Sequence, residues 1–184
     1  MDRAQLEHII RAAGSVAGTQ DVMILGSQAI LGQFPELGTS AFDENSRQIL
    51  LRSMEADVLI PVDETKADLI DGVLGELSPF HNTHGYYAQG VDRTTALLPK
   101  GWETRLLTIC NDNTNHVRGH CLEIHDLMIA KLVAGRPKDH EFFEAAVHLK
   151  LVSQPALLER LNDTLLPNDR RDQLKRIILR GFQH

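Results

Sequence analysis

Two carboxylates, Glu55 and Asp57, stand two residues apart in the apolar run Met54 to Ile60, and a small-residue pair, Gly26-Ser27, follows the apolar run Val22 to Leu25. Residues two apart on a strand project from one face, so the carboxylates point together while Ala56 and Val58 point away. Two oxygen donors on a rigid edge suit Mg2+, or Mn2+, which takes one or two protein carboxylates and fills its shell with water and phosphate oxygens. A glycine turn opening a helix offers backbone N–H groups to a phosphate at close range. The chemistry these residues suggest is that of nucleotides.

Each feature also has a plainer reading. Gly26-Ser27 serves equally as a tight strand-to-helix turn with Ser27 as its cap, and Glu55 and Asp57 as a solvated pair on an edge strand. Val58-Leu59-Ile60 is continuously apolar, as in a central strand buried on both faces, and two like charges at its start need a counter-ion. His116, His120 and His125 with Cys110 and Cys121 raise the question of zinc, but there is no Cys-x-x-Cys, and the His116/His120 pair falls in a stretch read as strand. Structural zinc is not expected, and His125 reads as a polar residue near the pocket or a hydrogen-bonded helix start. Both cysteines read as buried thiols and Trp102 as a packing anchor.

The elements that must position these groups follow from periodicity and turn chemistry. Ala4 to Ala17 has Leu6, Ile9, Ile10 and Ala13 at helical spacing. Val22 to Leu25 is a short buried strand, Ser27 to Gly32 a helix opening at the turn, and Phe34 to Asp43 a loop suited to a substrate mouth. Glu44 to Arg52 reads as helix, Met54 to Ile60 as strand, and Glu64 to Leu77 as helix after Pro61 and Asp63. Tyr86–Gln89, Thr94–Leu98, Arg105–Cys110 and Val117–Leu122 read as antiparallel strands extending the sheet. Four helices follow, Asp126–Ala134, Asp139–Leu149, Pro155–Leu165 and Asn168–Gly181.

At 184 residues the chain fits one domain, divided here into an α/β core over 1–122 and a helical region over 123–184 packed on it. No apolar stretch is long enough to cross a bilayer and the N-terminus lacks a signal-peptide core, which places the chain in the cytoplasm with no membrane partner and with its two cysteines reduced. A net charge of −6 disfavours a general grip on nucleic acid, leaving a local basic patch at Arg170, Arg171, Lys175, Arg176 and Arg180.

The order strand, Gly-Ser turn, then a strand bearing acids at i and i+2, here Ile24-Leu25-Gly26-Ser27 and Glu55-Ala56-Asp57-Val58, resembles the nucleotidyltransferase fold of the DNA polymerase beta superfamily. Within Cys121 to Asp139, Asp126-Leu127, the helix Lys131-Leu132-Val133-Ala134 and then Arg136-Pro137-Lys138-Asp139 resemble the abortive-infection toxin-like nucleotidyltransferases. Gly90-Val91-Asp92 and Leu98 to Leu106 resemble an uncharacterised branch of the same group. The resemblance implies an α/β (α+β) fold, a mixed sheet flanked by helices with a helical C-terminal part. It implies that Gly26, Ser27 and Lys131 bind a nucleoside triphosphate, that Glu55 and Asp57 hold the metal, and that Lys131 and Asp139 complete the active site. Asp92 is the best position for a third sheet carboxylate.

The implied reaction moves a nucleoside monophosphate to an acceptor hydroxyl on tRNA or protein and releases pyrophosphate, in a toxin–antitoxin pair with a cognate antitoxin as partner. Lysine suits the phosphates as a compact cation. Arg136 and Lys138 read as surface charges able to touch phosphate or a nucleic-acid acceptor. This chain departs from the pattern twice: Glu55 stands where aspartate is usual, and the gap from Ser27 to Glu55 is long. A catalytically weakened member that binds a nucleotide or partner without turnover is the alternative, and a scaffold with no nucleotide site is a third.

Overall fold

The computed structural model describes residues 1–39 and 42–183. Helix α1 (Arg3–Ala17) is opened by Asp2, whose carboxylate accepts from Gln5 N while Gln5 answers the Asp2 N–H. Its buried stripe, Leu6, Ile9, Ile10 and Ala13, is the one the periodicity predicts. Strand β1 (Asp21–Ile24) leads through a 3-10 turn (Ser27–Ala29) into α2 (Ile30–Gln33), a second 3-10 turn (Pro35–Gly38) and α3 (Glu44–Leu51). Strand β2 (Glu55–Leu59) is followed by α4 (Ala67–Leu74), α5 (Pro79–His84) and strand β3 (Tyr87–Gly90). Strands β4 (Leu107–Ile109) and β5 (Arg118–Cys121) precede α6 (Ile124–Ala134), α7 (Pro137–His148), α8 (Gln154–Asn162) and α9 (Asn168–Gly181).

Among the described residues five strands form one mixed sheet in the order β3-β2-β1-β5-β4. β1 runs antiparallel to β2 and parallel to β5, and β4 antiparallel to β5. β2 is therefore an interior strand, with Ala56, Val58 and Leu59 fully buried, which removes the edge-strand reading of its two acids. Close approach of α1 to the sheet needs Gly119 on β5, where a Cβ would meet Ile10 at 2.4 Å. No helix among the described residues is long and apolar enough to cross a membrane.

Several expectations are corrected. Tyr86–Gln89 does become a strand, but β3 lies parallel to β2, with Glu55 beside Tyr87 and Asp57 beside Gln89. A parallel neighbour needs a long crossover, and α4 with α5 supplies it. Helix α5 was not anticipated, although Ser78 as cap, Pro79 in the first turn and Gly85 after the end are ordinary signals. The Glu64–Leu77 helix is a 3-10 turn (Glu64–Lys66) joined to α4 and stops at Leu74.

Thr94–Leu98 is not a strand, because Asp92 caps a 3-10 turn over Arg93–Thr95 by accepting from Thr94 N at 2.7 Å. The described part of Phe34–Asp43 is no mouth: Leu37 is fully buried, and Ser40 and Ala41 lie outside the described residues. Trp102 packs partly buried against the core. Cys121 is buried, and burial pushes its thiol up to about 12, whereas Cys110 is exposed.

Candidate active site

Antiparallel pairing sets the end of β1 beside β2. Leu25 N donates to Asp57 O at 3.1 Å, so the chain leaves β1 through Gly26 with the Asp57 side chain lying over that residue. Parallel pairing of β1 and β5 sends α6 out over the same sheet edge. These two pairings bring the Gly-Ser turn, both acids and Lys131 to one cavity of about 660 Å³, whose lining also includes Arg136, Lys138, Asp68, Asp71, Gln89, Asp92 and Leu97. A second hollow of about 510 Å³, bounded by His8, Arg11, Asn115 and Val117, has no carboxylate in its lining.

Ser27 does not cap its turn: Gly26 occupies the cap position, and no side chain serves it. The Ser27 hydroxyl instead accepts from Lys131 Nζ at 2.7 Å. Lys131 is 6% exposed, its ammonium also reaching Asp139 Oδ1 at 3.3 Å and lying 4.4 Å from the centre of the Phe142 ring, so it is no solvated helix residue. Burial pulls its pKa down, with Asp139 opposing.

Asp139 is fully buried behind the lysine and accepts from Arg136 Nε at 2.7 Å, Nη2 at 3.2 Å and the backbone N at 3.2 Å. Burial would raise its carboxyl, yet Arg136 and Lys131 outweigh burial and hold it below the usual range. From the third position of α7 it closes a capping box on Arg136, the N-cap residue; it also anchors Lys131, and it does not line the cavity.

Glu55 and Asp57 project together. Burial first, then the charge of Glu55, raises the Asp57 carboxyl to about 6 against the opposing charge of Lys131. Among the described residues neither acid has a Lys, Arg or His nitrogen within 4 Å. An acid pair without a near cation, on hard oxygen donors, is the donor chemistry that fits Mg2+ or Mn2+. Glu55 Oε2 also accepts from the Tyr87 hydroxyl at 2.8 Å, and burial together with Glu55 raises the phenol pKa.

Asp92 lines the cavity, but its carboxylate is engaged by Thr94 and it does not converge with Glu55 and Asp57: no group of three or more such ligands exists among the described residues. The β3 position in register with Asp57 is Gln89, an amide. His125 is the hydrogen-bonded helix start, its Nδ1 paired with Glu123 Oε1 at 2.7 Å and its Nε2 accepting from Ser153 N at 3.0 Å, outside the cavity lining. Sequence reading missed Tyr87 and Gln89, which only the parallel register of β3 brings to Glu55 and Asp57.

A mixed sheet whose Gly-Ser turn faces two strand carboxylates, with a helical lysine beside the turn, is the arrangement that the resemblance to nucleotidyltransferases implies. The chain belongs to the family described as nucleotidyltransferase of unknown function (DUF6036), whose model matches residues 4–177. No curated protein and no solved structure matches it.

Proposed function

We propose that this chain is a metal-dependent nucleotidyltransferase that moves a nucleoside monophosphate from a nucleoside triphosphate to an acceptor hydroxyl. The observation that carries the reading is the meeting of Gly26-Ser27, Glu55, Asp57 and Lys131 in one cavity. Glu55 and Asp57 would hold Mg2+ or Mn2+, which when bound neutralises phosphate charge during phosphoryl transfer. Lys131, steadied by Asp139 and hydrogen-bonded to Ser27, presents a fixed cation to the triphosphate at the turn. The acceptor oxygen bonds to the α-phosphorus, the bond to pyrophosphate breaks, and the hydroxyl proton passes to solvent water.

Asp68, Asp71 and Asp92, which also line the cavity, repel a polyanion and suit a protein or small hydroxyl better than tRNA. On α9, Arg170 and Arg171 are bonded to the carbonyls of Val133 and Thr164, which reduces the basic patch open to RNA. Service as the toxin of a toxin–antitoxin pair rests on the family resemblance alone. Incubation with Mg2+, labelled triphosphates and separate protein and RNA pools tests the reaction. Metal-dependent labelling lost in Asp57→Ala supports it.

The second reading is a member that binds nucleotide without turnover, favoured by the longer Glu55 and by Gln89 where an acid would complete the set. It predicts a thermal shift with Mg2+ and triphosphate but no transfer. Absence of any shift would favour the scaffold instead.

A further inference from the structure

We infer that Tyr87 is a positioning residue that fixes the Glu55 carboxylate for the divalent cation. This rests on the metal site proposed above and concerns how a glutamate does the work of a shorter acid. Glutamate carries one more rotatable bond than aspartate, so its oxygens are less tightly placed by the strand. Parallel pairing sets Tyr87 beside Glu55 on the neighbouring strand, and its hydroxyl donates to Oε2 at 2.8 Å. One carboxylate oxygen is thereby tied to a neutral donor and the other remains for the cation.

Tyr87 itself does not line the cavity, so its effect passes through Glu55. The phenol is held in turn. Its ring lies 4.7 Å from that of His81 on α5, centre to centre, and His81 Nδ1 accepts from Leu77 N at 3.0 Å. His81 N donates to the Ser78 hydroxyl at 3.1 Å. The crossover between β2 and β3 thus braces the tyrosine that braces the acid. Outer partners of metal ligands set ligand orientation, and their loss commonly weakens metal binding by about 10–100-fold.

The test is a titration with Mn2+ alone, read by electron paramagnetic resonance, on the wild type, Tyr87→Phe, Glu55→Asp and the double variant. Tyr87→Phe keeps the ring against His81 and should weaken Mn2+ by about tenfold. In the Glu55→Asp background the shorter carboxylate no longer reaches the hydroxyl, so Tyr87→Phe should change affinity by less than about twofold, the coupling expected of residues in contact. Wild-type binding left unchanged by Tyr87→Phe, or an equal loss in both backgrounds, overturns the inference alone. Absence of Mn2+ binding to the wild type overturns the metal site and this inference with it. Loss of the fold in Tyr87→Phe, seen by circular dichroism, also counts against it, since the hydroxyl would then serve stability rather than aim.

Discussion

A Cβ built on Gly26 would lie 1.5 Å from Oδ2 of Asp57 and 2.6 Å from its Cγ. The backbone there has φ −87° and ψ −165°, open to any residue, so glycine is required for space and not for conformation. The acid occupies the volume a side chain would take. Turn and carboxylate are therefore one unit, although 31 positions separate them in sequence.

Gly26→Ala is accordingly expected to push the Asp57 carboxylate away and to cost about 1–3 kcal/mol, the usual range for overpacking. Label transfer should fall with it. The Gly26→Ala/Asp57→Ala double variant removes the clashing carboxylate and leaves only the Cβ of residue 57 at 3.1 Å, so its urea midpoint should recover for the most part while its activity does not. A double variant no more stable than Gly26→Ala would contradict the steric account.

The parts legible in sequence were those fixed by near neighbours along the chain. Helix α1, the two central strands, α6 and α9 each carry periodicity or turn chemistry that acts locally, and the family resemblance added Lys131 and Asp139. A helix cap is the plainer reading of Ser27 that its neighbours permit, whereas the partner of its hydroxyl lies 104 positions away. The parallel direction of β3 depends on its crossover, and with it the placement of Tyr87 and Gln89. Asp92 lines the cavity without meeting Glu55 and Asp57 in a three-ligand group among the described residues, because its local turn, formed with Thr94, holds the carboxylate.

Asp57 predicts a pH dependence in metal-free protein. Its pKa is raised from 3.8 to about 6 in the folded state, by burial first and Glu55 second. The native state then holds more protons than the unfolded chain between those values, so this group's contribution to stability falls as pH rises from about 4 to 6 and levels off above. Asp57→Asn removes the penalty. Relative to the wild type in EDTA, it should be of equal stability below about pH 4 and more stable by roughly 2–3 kcal/mol above pH 6. Urea titrations across this range check the sign, and a difference growing toward acid would refute it.

Lys131→Met keeps an unbranched apolar stem beside Phe142 and removes the bonds to Ser27 and Asp139. Asp139 retains Arg136, so the stability loss should be about 1.5–3 kcal/mol, that of a hydrogen bond to a charged group, and not the larger penalty of an orphaned ion. Triphosphate recognition should suffer more. The thermal shift produced by Mg2+ and triphosphate should vanish in this variant, and a shift of wild-type size would remove Lys131 from the phosphate site.

Asp126 offers the opposite case, a buried charge that does not itself line the cavity. Fully buried at the start of α6, it accepts from Arg105 Nε at 2.8 Å and Nη2 at 2.9 Å, and Arg160 Nε of α8 stands 3.3 Å from Oδ1. Asp126→Ala strands two largely buried guanidinium groups and should cost about 3–5 kcal/mol. The two arginines are not equal: Arg105 makes a bidentate pair, while Arg160 Nε has no hydrogen bond of good geometry. Arg105→Met should therefore destabilise more than Arg160→Met, as read from urea midpoints. Because Asp126 does not line the cavity, label transfer per folded molecule should survive in all three variants, which separates loss of the scaffold from loss of the site.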